Sequence, residues 1–519
     1  MAPHLKCRAM QQLTGLDALF LELESPEMPM HVGSLNIYAL PDGFRGSYAE
    51  HLRKHLLARL PIMPVLRRRV WRMPLNLANP AWVDAEPDMA YHVMLHRLPA
   101  NSGREALESL VGALHMQLLD RARPLFRFHV VEGLVRGQQG QRLVAVYTQL
   151  HHAAVDGQAA VALGHAILDV TPEPRAIDIR PSTRPRQTQL GLIEMLRGAI
   201  TNELQQVAGI VRGLPDALGA IGKTAARALS AESRQRYKRV RNVGLAPHTP
   251  FNAQVTRART FATASLPLHE LKAIGKAHGA SINDMALMVC STALRHYLAA
   301  RRQLPKKPLI AEVPISLRDA GDERGGTQAS MGLASLGTHL ASPHRRLAHI
   351  KAATEAMKAS MGPLRRLIPT DYPSIGMPWL VEALGALYSR SHLADRIPML
   401  ANLVISNVPG PTVPLYLVGA RMLTNYPTSI VMHGIALNIT VESYERSLEF
   451  GLMADAEAVP DVRDLAQGLH QAMDELRSMQ ARDDAAGARP RKPIATEKPT
   501  VQATGRRPAA RKSGAAAQR

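Results

Sequence analysis

Apolar residues along this chain recur in two periods that take turns. Residues 32–40, 124–134 and 143–150 are short runs dense in β-branched and aromatic side chains, which predicts strands; the last is apolar enough to be covered on both faces. Residues 50–59, 105–119 and 158–168 instead place apolar side chains three and four apart, which predicts helices, with Leu107, Leu110, Val111, Leu114 and Leu118 as one stripe. The turn RGQQGQR joins the second and third strands as an antiparallel hairpin. Residues 10–24 read as a short helical or extended opening.

The second half repeats this alternation. Strands are expected near 260–265, 309–317, 401–405, 430–440 and 447–453, and helices over 269–279, 282–302 and 465–479, with mostly helices between 342 and 400. Gly279 closes one helix and Ser281 caps the next. Between the halves, residues 189–240 are helical, glycine-punctuated and amphipathic. Their moderately basic polar face favours a packed connector over a membrane-surface helix. The expected organisation is an α/β half over 1–188, a helical crossover over 189–248, a second α/β half over 249–480 and a disordered basic tail over 481–519.

Composition narrows the class. With 519 residues, 46% hydrophobic and 20% charged, the chain has material for two or more cores. Cys7 and Cys290 are too few for a disulfide framework or a thiolate metal site, which points to a reducing compartment. No signal-peptide core and no membrane-length apolar run is present, so a cytoplasmic protein, soluble or peripheral, is expected. The formal charge is +20. The tail carries ten Arg or Lys against three Asp or Glu, enough to solubilise it or to tether it to an anionic membrane or lipid droplet. With 4% aromatic residues and no basic-aromatic interleaving, nucleic acid is not an expected partner.

The chemistry concentrates where the 143–150 strand ends, in HHAAVDG. His151 and His152 are adjacent, so on an extended backbone they face opposite ways: one can face a cavity while the other packs. A neutral imidazole at physiological pH suits a general base. Asp156 is expected to clamp the loop, with Arg67, Arg68 and Arg69 as candidate partners, and Gly157 to start the helix. At this composition HHxxxDG arises by chance only roughly 0.003 times per chain, which favours catalysis over a packing role. Asn283 and Asp284 fall in the first turn of the helix capped by Ser281, and the two prolines of SNVPGP fix a rigid corner around Gly410. No histidine set has metal-ligand spacing, and no glycine-rich phosphate loop is present.

Taken with GLDALFLELESPEMPMHVGSL, TPFN, SINDMAL, VPISLR and SNVPGP, these landmarks make the chain resemble the bacterial wax ester synthase/acyl-CoA:diacylglycerol acyltransferase family over residues 10–480. HHAAVDG alone is shared with a wider superfamily that includes peptide-synthetase condensation domains and chloramphenicol acetyltransferase. The resemblance implies two chloramphenicol-acetyltransferase-like α/β halves with a tunnel between them, His152 as general base and His151 in support. Asp156 and Gly157 would then hold the loop, Asn283 and Asp284 would match the family's ND pair, and Asn407, Pro409 and Gly410 would lie at the tunnel. It also implies acyl-CoA and diacylglycerol or a long-chain alcohol as substrates, with no metal and no cofactor. Where the family often shows Pro-Leu-Trp, this chain has Pro124, Leu125 and Phe126. Other readings are a superfamily acyltransferase using another hydroxyl acceptor, or a non-catalytic lipid-droplet or membrane-binding protein.

Overall fold

The histidine-bearing run forms an inner strand, as its apolar content requires, and the first half of the chain builds its sheet around it. The structure, a computed structural model, describes residues 11–73, 76, 78–155, 157–177, 245–316, 329–364 and 399–488. The first half comprises β1 (Gln11–Gln12), α1 (Gly15–Leu23), β2 (His31–Ala39), α2 (Tyr48–Arg59), β3 (Arg68–Trp71), β4 (Ala81–Asp84), α3 (Met89–His92), β5 (Val93–Ser102), α4 (Arg104–His115), β6 (Phe126–Leu134), β7 (Leu143–His151) and α5 (Gly157–Ile167). The second comprises β8 (Arg259–Pro267), α6 (Leu268–Ala277), α7 (Ile282–Ala300), β9 (Ile310–Ser316), β10 (Ala329–Ser335), α8 (Pro343–Leu364), β11 (Leu403–Val408), β12 (Tyr416–Leu417), β13 (Ala420–Thr428), β14 (Leu437–Tyr444), β15 (Ser447–Asp455) and α9 (Val462–Ala488).

Two six-stranded mixed sheets result, ordered β12-β13-β2-β7-β6-β5 and β10-β9-β11-β14-β15-β8, beside a small β1-β4-β3 sheet. The β6–β7 hairpin forms as expected, and β7 pairs antiparallel with β2 so that His31 stands opposite His151. In the second sheet β11 runs parallel to both β9 and β14. The α7 start is fixed by a capping box in which Ser281 and Asp284 satisfy each other's backbone N–H groups. The two faces of the first sheet are covered differently. Leu52, Leu56, Val146 and Leu163 pack on one, and Leu107, Val111, Tyr147 and Phe261 on the other, so helix α4 and the second half share a core.

Two boundaries differ from the expectation. β12 and β13, although within residues 249–480, belong to the first half's sheet, because β13 pairs along β2 from Arg421↔Ala39 to Thr428↔Gly33. Gly451 makes this crossing possible: a Cβ there would lie 1.7 Å from the Pro427 carbonyl oxygen. The last helix continues to Ala488, eight residues into the expected disordered tail, with Asp483 held by His344 at 2.8 Å. The strand expected near 430–440 forms only from Leu437 as β14; before it, Met432 and Ile435 bridge a turn. The crossover up to residue 244, the loop 317–328 and the tail from 489 lie outside the described residues. Among the described residues no helix is long and apolar enough to cross a membrane.

Candidate active site

The end of β7 separates the two histidines. His151, the last strand residue, is fully buried. Its Nδ1 accepts the Ala153 N–H at 3.1 Å, so Nε2 carries the proton and faces Glu24 Oε1 at 3.2 Å. Glu24 follows α1 directly and is itself enclosed. Its Oε2 accepts from Arg121 at 2.9 Å, and the same guanidinium donates to the Leu21 carbonyl. Burial pushes the Glu24 carboxyl up, but the hydrogen bond from His151 and the charges of His151, His31 and Arg121 outweigh it and hold it at about 2. Glu24 is therefore a carboxylate at any physiological pH.

Further imidazoles back this pair. His31 donates from Nε2 to the Gln117 carbonyl at 3.1 Å, and burial pushes it down to about 4. Its ring meets those of His151 and His115 edge-on, and His115 shares a 2.7 Å hydrogen bond with the Tyr147 hydroxyl. Burial also drives His115 well below the ordinary histidine value. At physiological pH these rings are neutral packing and hydrogen-bonding groups, so the ionised partner of His151 is Glu24.

His152 is the first residue past the strand and leaves this network. Its backbone N–H is held by the Met30 carbonyl at 2.8 Å, and its half-buried ring stacks on Phe20 with centroids 4.0 Å apart. The Ala154 N–H closes the turn onto the His151 carbonyl, and Arg68 donates to the Ala154 carbonyl at 3.0 Å while its guanidinium lies over Trp82. Of the three adjacent arginines, Arg68 thus turns toward the HHAAVDG loop. Asp156 lies outside the described residues, and Gly157 is where α5 begins.

The remaining expected site residues divide. Asn407, in β11, donates to Asn283 Oδ1 at 3.3 Å, so the SNVPGP and SINDMAL motifs do meet. Asp284 serves its own helix: it caps Ser281 and accepts from Thr354 Oγ1 at 2.7 Å. Pro409 is exposed, and Gly410 donates its N–H to Ser443 Oγ at 2.9 Å. A Cβ on Gly410 would lie 2.0 Å from the Ser443 carbonyl oxygen, which explains the glycine. Among the described residues no group of three or more His, Cys, Asp or Glu side chains is placed to hold a metal ion.

Glu24, Phe20 and Arg121 escaped the sequence reading. The available signal was two acids closing an apolar run, LFLELE, the second of them seven residues before a histidine that opens a strand.

Comparison with known proteins decides the family. The model of the wax ester synthase/diacylglycerol acyltransferase catalytic domain matches residues 13–286, and that of the C-terminal domain matches 325–477. The chain belongs to the wax ester synthase/diacylglycerol acyltransferase family. This makes it an acyl-CoA-dependent O-acyltransferase. A putative diacylglycerol O-acyltransferase of Mycobacterium tuberculosis is 37% identical over 465 residues, 89% of this chain and 99% of its own length. A probable diacylglycerol O-acyltransferase of the same organism is 35% identical over 470 residues, covering 89% and 97%. Among solved structures, the wax ester synthase/diacylglycerol acyltransferase from Marinobacter aquaeolei aligns with a TM-score of 0.64 at 29% identity, over 91% of this chain and all of that one. The first condensation domain of the calcium-dependent antibiotic synthetase shares the fold, with a TM-score of 0.50 at 15% identity over 91% and 97% of the two chains.

Proposed function

We propose that this enzyme transfers a long-chain acyl group from acyl-CoA to the hydroxyl of diacylglycerol, a fatty alcohol or both, yielding triacylglycerol or wax ester, with His152 as the general base. The observation that supports this assignment is the division of labour at the end of β7. His151 is fully buried and spent on Glu24 and the Ala153 N–H, while the adjacent His152 is half-buried, anchored by its backbone N–H and stacked on Phe20.

His152 takes the acceptor's hydroxyl proton as the oxygen attacks the thioester carbonyl. The tetrahedral intermediate collapses by breaking the C–S bond, and His152 returns the proton to the CoA thiolate, so the ester and CoA leave with no net proton change. A thioester is already activated, so holding both substrates in line against one base suffices, with no covalent enzyme intermediate and no resident cofactor. His151 and Glu24 position the turn that carries the base. Peripheral contact with an anionic membrane or lipid droplet would bring the water-insoluble acceptor to the enzyme.

The test is CoA release from palmitoyl-CoA by purified protein, with hexadecanol and dioleoylglycerol supplied separately. Release is expected with at least one acceptor and should fall by about 10²-fold or more in His152→Ala, whose melting temperature should stay near wild type. Turnover in His152→Ala close to wild type would remove His152 as the base. No release with either acceptor would shift the reading to another hydroxyl.

A further inference from the structure

Helix α1 presents two residues, one turn apart, to the two histidines at the end of β7. Glu24, which closes the helix, faces His151 Nε2 at 3.2 Å, and Phe20, four residues earlier, lies flat on the ring of His152. Residues four apart share one helical face, so a single face of α1 serves both histidines.

The segment that follows α1 completes the grip. Glu24 Oε1 also accepts the Met30 N–H at 3.4 Å, and the Met30 carbonyl accepts the His152 N–H at 2.8 Å. Residues 20–30 therefore hold His152 in two places, its backbone through Met30 and its ring through Phe20. The helix is itself anchored at both ends. Thr14 Oγ1 accepts the Asp17 N–H at 3.2 Å at its start, beside the Leu13 N–H bound to the Pro80 carbonyl, and Arg121 holds the Leu21 carbonyl and Glu24 at its end. Ala18 and Leu21 are buried in the first half's core, so Phe20 stands on a fixed element rather than on a loop.

The torsion that turns an imidazole about its Cβ–Cγ bond is soft, so the plane of the ring is set by what it touches. Here the His152 and Phe20 planes lie 18° apart with centroids at 4.0 Å, which defines that plane. His152 Nδ1 is buried, leaving Nε2 as the nitrogen that meets a substrate hydroxyl. A turn of the ring would carry Nε2 off that line. A phenyl face also attracts positive charge, so the stack favours the imidazolium formed as His152 takes the proton; an aliphatic side chain of similar bulk would not.

We infer that Phe20 is the positioning residue for His152, aiming Nε2 at the acceptor hydroxyl and favouring the protonated ring that forms during transfer. The inference rests on His152 as the general base, and Phe20 acts through it.

The experiment is a double-mutant cycle on the full-length protein, read as CoA release from palmitoyl-CoA with whichever of hexadecanol and dioleoylglycerol the wild type uses. Phe20→Leu keeps apolar bulk and removes the ring; it should lower kcat about tenfold, with KM for both substrates within about twofold. Phe20→Tyr, which keeps the ring, should hold kcat within about threefold of wild type. In the His152→Ala background, Phe20→Leu should leave the residual rate unchanged, because the ring it positions is gone. A packing role alone predicts equal losses in both backgrounds, through a smaller folded fraction. Such equal losses, wild-type kcat in Phe20→Leu, or a Phe20→Tyr enzyme no better than Phe20→Leu would overturn the inference while leaving His152 as the base. A His152→Ala enzyme that turns over like wild type would instead remove the base and the inference with it.

Discussion

Glu24 is where a single charge does most at the site. It holds the proton on His151 Nε2 and, through Arg121, which also donates to the Leu21 carbonyl, ties the end of α1 to the segment before β6. Glu24→Gln keeps an acceptor for His151 but removes the charge. It should lower kcat by on the order of 10²-fold with little change in KM, read from CoA release; unchanged kcat would make Glu24 purely structural. The same carboxylate bears on acid stability. Its folded value of about 2 lies below the ordinary 4.5, so its contribution is complete above about pH 4.5 and is lost as pH falls toward 2. His31, His92 and His129 act at higher pH. Burial holds each at about 4, so the unfolded chain takes up protons from about pH 6.5 downward while the folded chain does not. Glu442 runs the other way: raised to about 7, it stabilises below its ordinary value and loses that contribution as pH rises from about 4.5 through 7. Three histidines outweigh one carboxyl, so the melting temperature should fall steadily between pH 6.5 and 4. A flat profile over that range would contradict the buried neutral histidines.

At the scale of elements, the fold depends on close backbone crossings that only glycine permits. Gly451→Ala would drive a Cβ against the Pro427 backbone, which cannot rotate away. It should cost about 3 kcal/mol or more by chemical denaturation, and a cost below about 1 kcal/mol would show that β13 can shift freely. Gly164, inside α5 with open space around it, is the contrasting case: Gly164→Ala should stabilise by about 0.5–1 kcal/mol. The difference marks what could be read from sequence. β6, β7 and α5 were legible because their periods and turn are local. β13 was not, because ARMLTNYPT carries Arg421, Asn425 and Pro427 and its partner β2 lies nearly four hundred residues earlier. β3, β4, β5 and β10 are likewise short or polar and take their identity from their neighbours. HHAAVDG was legible as chemistry, but its carboxylate was not. Glu24 reaches His151 because the β2–β7 register places His31 opposite His151, and register is a property of the pair.

On the scale of the whole molecule, the two halves are interlocked. β13 of the second half completes the first half's sheet, and without it the edge of β2 would be unpaired. In return, α4 of the first half lies directly on β8, where a Cβ on Gly112 would sit 2.6 Å from the Arg259 carbonyl oxygen. Glu108 on that helix accepts from the Thr263 N–H at 2.9 Å, from its hydroxyl at 2.6 Å and from Arg463 at 3.2 Å. Arg259, paired with Asp455, also donates to the Glu27 carbonyl, in the loop that follows Glu24. The second half thereby braces the segment that carries the ionised partner of His151. The first half's sheet lacks two strands without the second half, and the two halves share a core, so calorimetry should show one cooperative transition rather than two. Glu108→Ala strands two buried donors of Thr263 and should lower that transition by about 3 kcal/mol without splitting it. Two resolved transitions in the wild type would mean that the crossings do not couple the halves energetically. In that case the Glu24–His151 pair would owe its geometry to the first half alone.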